Sequence, residues 1–329
     1  MSEPTVRICI AMPVYNDWEA AAILCGQLER ALAARAEHFS IVLVDDGSTA
    51  RPPERVTSPQ TGRSIDVSVL ELKRNLGHQR AIAVALAYIN EHVAPDAVVV
   101  MDADGEDRAE DVPRLLDALH ETGFTRVVFA QRRRRVEGWP VRAGYLAYRM
   151  LHRLLTGFAV QVGNFSVVPA RCLAALAVSP EMWAHYAAAV YAARLPVHLV
   201  PANRGSRLAG RSHMNYVMLV THGLGALSVF RHRVGGRILI ALSTLIVTLG
   251  VALVVFVGSS PAGIASSPLA TIVLVALLIA NLAITGFGIA FGMFAERQEL
   301  GFVPSRDYRF FVWGLKRMNE PGPVPVPGR

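Results

Sequence analysis

Two long stretches without a single charge constrain this chain more than anything else in it. Ile238–Gly258 runs for 21 residues and Leu269–Phe294 for 26 with no Asp, Glu, Lys or Arg. A helix that crosses the hydrocarbon of a bilayer needs about 20 such residues. A buried helix of a soluble protein seldom runs so long, and two in succession argue against that reading. The link between them, SSPAGIASSP, is short and uncharged and carries two prolines. The pair predicts a hairpin of two spanning helices with both ends on one side. Arg231, Arg233 and Arg237 precede it; Arg297, Arg306, Arg309, Lys316 and Arg317 follow it. Basic flanks stay cytoplasmic. The expectation is a multi-pass protein of the cytoplasmic (inner) membrane, with residues 1–230 and both termini in the cytosol. Met1–Arg7 leads straight into an apolar run and shows no signal peptide.

Four segments follow. Residues 1–213 form a cytosolic domain, 214–236 a juxtamembrane interfacial helix, 237–295 the hairpin, and 296–329 a cytosolic tail whose Pro/Gly-rich end, Pro321–Arg329, reads as loose. Among 329 residues, 52% are hydrophobic and 18% charged, which excludes a disordered chain. Cys9, Cys25 and Cys172 are odd in number and show no CxxC spacing. They support neither a disulfide scaffold nor a zinc site, and read as small buried hydrophobes. The net charge is +7, and eight arginines fall between Arg126 and Arg153. Aromatic interleaving is thin and no nucleic-acid motif is present, so the arginines point to lipid phosphate rather than to nucleic acid. Tyr145–Leu155 reads as a basic amphipathic helix, and Val217–Phe230, too short to span, as a helix lying along the membrane surface.

Within the cytosolic part, short β-rich runs alternate with helical patterns. Val6–Met12, Ser40–Val44, Val67–Leu72, Ala97–Met101 and Arg126–Ala130 read as strands; Asp17–Ala36, Gln79–His92 and Ala109–Thr122 read as helices; residues 50–64 read as a loop. That alternation predicts an α/β fold with a parallel sheet covered on both faces. Ligands bind such sheets beyond the carboxyl ends of the strands.

Those ends carry the polar clusters. Asp102 and Asp104 flank Ala103 directly after an apolar strand, with Glu106 and Asp107 close behind. Alternate residues of an extended chain point the same way. Two carboxylates beside a diphosphate form a normal seat for Mg²⁺ or Mn²⁺. Asp45 and Asp46 end the second strand, where a carboxylate can accept from a base or ribose hydroxyl. Pro13, Tyr15, Asn16 and Asp17 end the first; Tyr15 can stack on a base, and Asn16 or Asp17 can cap the next helix. Arg74, Asn75 and Gly77 open the helix after the third strand, where glycine permits close backbone approach and a helix N-terminus favours phosphate. No GxGxxG fingerprint is present, which argues against a dehydrogenase. Taken singly, each cluster is also an ordinary turn or cap; taken in order, they suggest a nucleotide pocket. Arg204, Arg207 and Arg211 stand ahead of the interfacial run and can reach a diphosphate or a lipid phosphate.

PVYND, VDDGS, RNLGHQRA and the DAD of DADGED, in this order and spacing, resemble family 2 glycosyltransferases of the GT-A fold. With two apolar C-terminal runs added, the chain is similar to the polyisoprenyl-phosphate glycosyltransferases, the dolichyl-phosphate mannosyltransferase-like branch. The resemblance covers about residues 6–295. It implies a GT-A (nucleotide-diphospho-sugar transferase, Rossmann-like) domain plus a two-helix transmembrane hairpin. It implies inverting, metal-dependent transfer of a sugar from a nucleotide-sugar, with UDP the better bet, onto a polyprenyl phosphate. Dimers or tetramers are implied too. By the same resemblance Pro13, Tyr15 and Asp17 surround the base, Asp45 and Asp46 the uracil and ribose, and Arg74, Asn75 and Gly77 complete the donor pocket. Asp102, Ala103 and Asp104 meet the metal and donor phosphates, with Glu106 as a third metal ligand. Arg132 faces the acceptor phosphate, and Arg204, Arg207, Gly210 and Ser212 match the family's arginine-rich pattern. Two departures fall on the acceptor side. Gly163-Asn164-Phe165-Ser166 lacks the arginine of a GDFR-like segment, and Ser212-His213-Met214-Asn215-Tyr216 lacks a lysine.

The chemistry is consistent with this set. A lipid phosphate is already an anionic nucleophile, so the work is positioning and neutralising the departing diphosphate. Asp104, Arg132, Arg204 and Arg207 are the candidate catalytic residues. Were the acceptor a lipid hydroxyl or a growing glycan, a base would be needed. Asp107 and Glu181 are the candidates for that, and Trp183-Ala184-His185-Tyr186 can also face the acceptor. A third reading is a non-catalytic lipid-binding or assembly partner of a flippase. The intact pair of carboxylates argues against it.

Overall fold

The computed structural model describes residues 5–53, 65–132, 150, 152–158, 162–210, 216–259, 268–299, 302–318 and 323–325. Most of the expected loop over 50–64, most of the helix over Tyr145–Leu155, and Arg211–Asn215 lie outside them. The chain divides into two units. One is drawn from Met1–Val141, Val160–Val229 and Phe302–Arg329, the other from Arg142–Ala159 and Phe230–Gly301.

The first unit is built on a nine-stranded sheet. Its strands in chain order are β1 (Arg7–Val14), β2 (His38–Asp45), β3 (Asp66–Leu72), β4 (Ala97–Val100), β5 (Val127–Arg132), β6 (Ser166–Pro169), β7 (Val197–Ala202), β8 (Val312–Arg317) and β9 (Pro323–Pro325). Their spatial order is β7-β5-β6-β4-β1-β2-β3-β8-β9. The central strands run parallel, β4 with β1, β1 with β2 and β2 with β3. Helices α1 (Trp18–Leu32), α2 (His78–His92) and α3 (Val112–Glu121) connect or flank them. Ile10, Met12, Ile41 and Leu43 of β1 and β2 are fully buried on one face, where Leu24 and Leu28 of α1 meet them. Val44, Val98 and Val100 turn to the other face, against Ile82, Leu86 and Ile89 of α2. Burial on both faces explains why these strands read as unbroken apolar runs rather than as alternations. All three cysteines are buried and free.

The sheet differs from the expected parallel one. β6 lies antiparallel between β4 and β5, and β8 antiparallel on the outer edge of β3. Both are too short, or too mixed in pattern, to stand out from sequence. The segment expected as a tail re-enters this unit after the second apolar helix. There Tyr308 is fully buried; its hydroxyl donates to Glu91 Oε2 at 2.8 Å and lies 2.7 Å from His92 Nε2. Trp183 packs between Phe302 and Phe311, with Arg80 over its ring.

Helix α6 (Tyr216–Ser228) belongs to the first unit, after the short α4 (Ala170–Ala177) and α5 (Tyr186–Ala192). A Cβ at its Gly225 would stand 3.3 Å from the Ala184 carbonyl oxygen, so the helix lies close against the backbone of Trp183–His185. Beside that contact His222 Nε2 lies 3.1 Å from His185 Nε2. Burial lowers the pKa of His222, and the nearby His78 adds to this while Asp102 opposes it. A histidine depressed in the fold stabilises it fully above its ordinary value near 6.5 and less as pH falls through the folded value. The protection of the α6 amides, that is, hydrogen exchange corrected for its own pH dependence, is therefore expected to fall as pH drops below about 6.5. His222→Gln, which keeps a neutral acceptor, should flatten that dependence; an unchanged profile would remove His222 as its cause.

The second unit holds two long helices, α7 (Arg231–Ser259) and α8 (Pro268–Glu299), which pack on each other. Gly288 allows the approach, since a Cβ there would meet Leu239 Cδ1 at 2.8 Å. Arg231–Ala252 is apolar and long enough to cross a membrane, with mean hydropathy 2.0, and none of it is buried. Val275–Gly288 of α8 is a shorter apolar stretch. Ile240, Val247 and Val251 are more than half exposed. At the foot of α7, Arg237 donates to the Leu154 carbonyl at 2.6 Å and Arg233 lies over the Phe158 ring.

Candidate active site

The carboxyl ends of β1, β2, β3 and β4 open on one edge of the sheet, and each carries a polar cluster. β1 runs on to Val14, so Pro13 lies inside it, opposite Val44. Tyr15, just beyond, is 40% exposed and free to meet a flat ligand. Neither Asn16 nor Asp17 caps the following helix by its side chain. Asn16, at φ +58°, instead accepts through Oδ1 from the backbone N–H of Thr49 and Ala50 at 2.9 and 3.0 Å. It thus ties the end of β1 to the end of β2.

Asp45 Oδ1 accepts from the Ser48 N–H at 2.8 Å. Asp46 is buried, and its two carboxylate oxygens accept from the N–H groups of Leu76 (2.7 Å) and Gly77 (2.9 Å). Burial raises its pKa even so, against those two donors. Asp46 therefore clamps the Arg74–Gly77 loop rather than standing open to a ligand. Between them Gly47, at φ +69°, lets the β2 turn lie against that loop. Arg74 and Asn75 are exposed, and Gly77 precedes α2 at φ +90°.

After β4, Asp102 N–H donates to Asp107 Oδ2 at 3.0 Å, and Asp107 is buried. Asp104 Oδ1 accepts from Glu106 N–H at 2.9 Å. The segment following β7 folds over this acidic loop. Leu208 N–H donates to the Asp104 carbonyl at 2.9 Å, and Gly205 N–H to the Glu106 carbonyl at 2.8 Å. The fit is close on both sides. A Cβ on Gly205 would stand 2.5 Å from the Gly105 carbonyl oxygen, and one on Gly105 would stand 2.3 Å from Leu208 Cγ. Arg207 then joins two loops: one guanidinium nitrogen lies 2.9 Å from Asp104 Oδ2, the other 2.6 Å from Asp17 Oδ2. Arg204 pairs with Glu106, and His78 Nε2 lies 3.0 Å from Asp102 Oδ1.

The electrostatics follow from this crowding. Burial raises the pKa of Asp104; Asp102 and Glu106 push the same way, while the Glu106 N–H and Arg207 oppose. Burial works against the charge on Arg207, but Asp17, Asp104 and Glu106 outweigh it and raise its pKa. The result is a row of three acidic side chains, each facing a base. Among the described residues no group of three or more His, Cys, Asp or Glu side chains is arranged to hold an ion. A divalent ion here would draw its remaining ligands from substrate phosphate and water, as Mg²⁺ commonly does.

The structure thus gathers Asp17, Asp102, Asp104, Glu106, Arg204 and Arg207 into one cluster, with Asp45, Asp46, Arg74, Asn75 and Gly77 beside it. Arg132 ends β5 opposite Ala202, and its side chain lies outside the described residues. Glu181 accepts from the Ser179 hydroxyl at 2.6 Å, so both bases considered for a hydroxyl acceptor, Asp107 and Glu181, are engaged locally. Two residues, His78 and Gln79, had no assigned role in the sequence reading. With Asn164 they form a hydrogen-bonded chain leading to Asp102, and Tyr186 anchors it. A polar His-Gln pair opening a helix straight after a positive-φ glycine was the available signal.

The Glycosyl transferase family 2 model matches residues 9–172. This chain carries a family 2 glycosyltransferase domain. Among curated relatives, the undecaprenyl-phosphate 4-deoxy-4-formamido-L-arabinose transferase of Yersinia pestis (strain Pestoides F) is 31% identical over 121 residues, 37% of this chain and 36% of that one. The enzyme of the same name from Serratia proteamaculans is 30% identical over 155 residues, 47% of this chain and 46% of that one. The chain therefore spans less than half the length of these relatives. In fold, the glycosyltransferase domain is similar to glucosyl-3-phosphoglycerate synthase from Mycobacterium tuberculosis crystallised with Mn²⁺, UDP and glucosyl-3-phosphoglycerate. The TM-score is 0.50 at 16% identity, covering 70% of this chain and 80% of that one. That likeness shows a GT-A-like mixed α/β sheet.

Proposed function

We propose that this protein is an inverting glycosyltransferase that moves a sugar from a nucleotide-sugar, a UDP-sugar by preference, onto a polyprenyl phosphate at the cytoplasmic face of the membrane. The observation that carries the reading is the bridge of Arg207 to Asp17 and Asp104, which draws the base-side and phosphate-side loops into one pocket. The undecaprenyl-phosphate transferases among the relatives support the acceptor class. The apolar, unburied helix Arg231–Ala252 supports a membrane setting.

In this reading Tyr15 stacks on the base, and Asp45, Arg74 and Asn75 orient the nucleoside. Asp102 and Asp104 would hold a divalent ion, Mg²⁺ or Mn²⁺, which supplies charge to the departing diphosphate. Arg207 and Arg204 add fixed positive charge over the same loop and tie the segment after β7 to it. Arg207 Nε is buried with no acceptor among the described residues, which leaves the cluster one donor for a phosphate oxygen. The acceptor phosphate needs no strong base, in keeping with the local engagement of Asp107 and Glu181. Positioning and charge then carry the rate.

The test is direct. Detergent-purified protein is incubated with undecaprenyl phosphate, Mn²⁺ or Mg²⁺ and a panel of UDP- and GDP-sugars, and the lipids are read by mass spectrometry. A polyprenyl-phosphate monosaccharide that disappears with EDTA is expected. Donor hydrolysis without a lipid product would reject the acceptor, and no donor consumption at all would reject the enzyme reading.

A further inference from the structure

One side chain of the long apolar helices is out of keeping with its surroundings. Asn281 is the thirteenth of the 26 uncharged residues Leu269–Phe294, and the only amide side chain in either apolar run. About 18 Å of uncharged helix therefore stands on each side of it. Thr285, one turn on, donates its hydroxyl to Asn281 Oδ1 at 3.3 Å. Among the described residues no hydrogen bond uses Asn281 Nδ2. Turning the amide over would leave its oxygen open instead. Neither water nor any other acceptor is present in the hydrocarbon of a bilayer, so an open amide there is costly.

The neighbouring helix does not supply the partner. Leu239, Ser243, Ile246 and Gly250 are half-buried along α7, and Leu277, Asn281, Ile284 and Gly288 along α8. Both sets advance by four, three and four residues, the spacing of a packed helix seam. Gly288 meets Leu239, so the start of α7 lies against the end of α8 and the two run antiparallel. One heptad further along each helix, Ile246 stands level with Asn281, and an isoleucine side chain accepts nothing. None of these seam residues is fully covered. The seam is closed on one side by the other helix of the pair and open on the other. Ile240, Val247 and Leu282, off the seam, are more than half exposed.

We infer that a second copy of this chain closes the seam: two hairpins pack seam against seam as a four-helix bundle, and their Asn281 amides hydrogen-bond to each other at the middle of the bilayer. The inference rests on the reading of α7 and α8 as spanning helices. What covers Asn281 has to offer an acceptor at that depth. Lipid tails offer none, and a lipid phosphate sits about 15 Å away at the surface. A second copy inserted the same way is related to the first by a two-fold axis along the bilayer normal. Its own Asn281 therefore arrives at the same depth, and each amide gives one N–H and takes one. A single asparagine in an otherwise apolar seam fixes partner number and register. Gly250 and Gly288, on the same seam, permit the close backbone approach that helices in a membrane use.

Disulfide cross-linking reads out the face that pairs. The full chain in membranes carries one added cysteine, Ile284→Cys on the seam or Leu282→Cys off it; the three native cysteines are buried. Oxidation with copper phenanthroline should link two chains through Ile284→Cys and far fewer through Leu282→Cys. At low expression, where pairing is incomplete, adding Asn281→Leu should lower the Ile284→Cys yield by about tenfold. Asn281→Gln, which keeps an amide, should restore most of it; a merely space-filling role would favour the leucine. Equal linking at both positions, or a yield that Asn281→Leu leaves unchanged, would overturn the interface. So would a chain that never links, and a linked band of another mass would give the seam to a different protein. Carbonate extraction and the lipid-product assay on the same membranes keep the readings apart. A chain released by carbonate does not span, and the seam pairing falls with that reading. Lipid product from a chain that does not pair would overturn the pairing and leave the enzyme reading standing.

Discussion

Replacing Asp104 by asparagine is expected to lower glycosyl transfer by about a thousandfold and to leave folding nearly untouched. Both halves follow from the same surroundings. Asp104 is the carboxylate that meets Arg207 on one oxygen and the Glu106 N–H on the other. An asparagine keeps an oxygen for Glu106 N–H but brings no negative charge to a metal or to the guanidinium. Arg207 would still hold Asp17 at 2.6 Å, so no charge is stranded. The folded state also gains something. Burial and the neighbouring carboxylates raise the pKa of Asp104, so ionising it opposes folding. That cost is absent below the ordinary carboxylate range and fully present at neutral pH. Asparagine removes it, and the net change in stability should stay within about 1 kcal/mol. Lipid product measured by mass spectrometry, beside the unfolding temperature, checks both halves. Normal turnover would sink the assignment of Asp104. Glu106→Gln is the contrast: its carboxylate is spent on Arg204, so its loss should cost no more than about tenfold.

The centre of this fold was legible in the sequence because its strands are buried on both faces and therefore read as plain apolar runs. β1 to β4 and their helices stand within a few residues of where the patterning put them, and the carboxyl-end rule then located the pocket. The periphery was not legible for physical reasons. Ser166–Pro169 is four residues, a strand only because β4 and β5 offer it edges. Val312–Arg317 mixes Trp, Gly and Lys and becomes a strand by pairing with β3, some 240 residues earlier in the chain. Within the site, residue types were foreseeable but partners were not. Asp46 has the composition of a ligand, and only the distance to Leu76 and Gly77 reveals a clamp. Arg207 reads as an arginine within reach of a diphosphate or a lipid phosphate, and only its contacts with Asp17 and Asp104 show that it joins two loops. Spacing along a chain says which side chains share a strand end; it does not say which of them neutralise each other.

Gly47 and Gly77 give the sharpest test of that clamp, because they look alike in sequence and differ in space. Both have positive φ, +69° and +90°, so an alanine at either is strained by its backbone, at about 1–3 kcal/mol. At Gly77 a Cβ meets nothing within 4 Å, and the strain is the whole cost. At Gly47 it would stand 2.5 Å from Asn75 N and 2.7 Å from the Arg74 carbonyl carbon. Those are backbone atoms of a loop held from the other side by the Asp46 carboxylate, so they cannot move aside without breaking its two hydrogen bonds. Overpacking adds about 1–3 kcal/mol, and a freed, buried Asp46 adds more. Gly47→Ala should thus lower stability by about 3–6 kcal/mol, against about 1–3 kcal/mol for Gly77→Ala. UDP binding should follow the same order, since Arg74 and Asn75 are displaced only in the first variant. Calorimetric unfolding and a UDP titration on both proteins decide it. Equal losses in the two variants would mean that the close contact between the β2 turn and the Arg74–Asn75 loop is not what shapes the pocket.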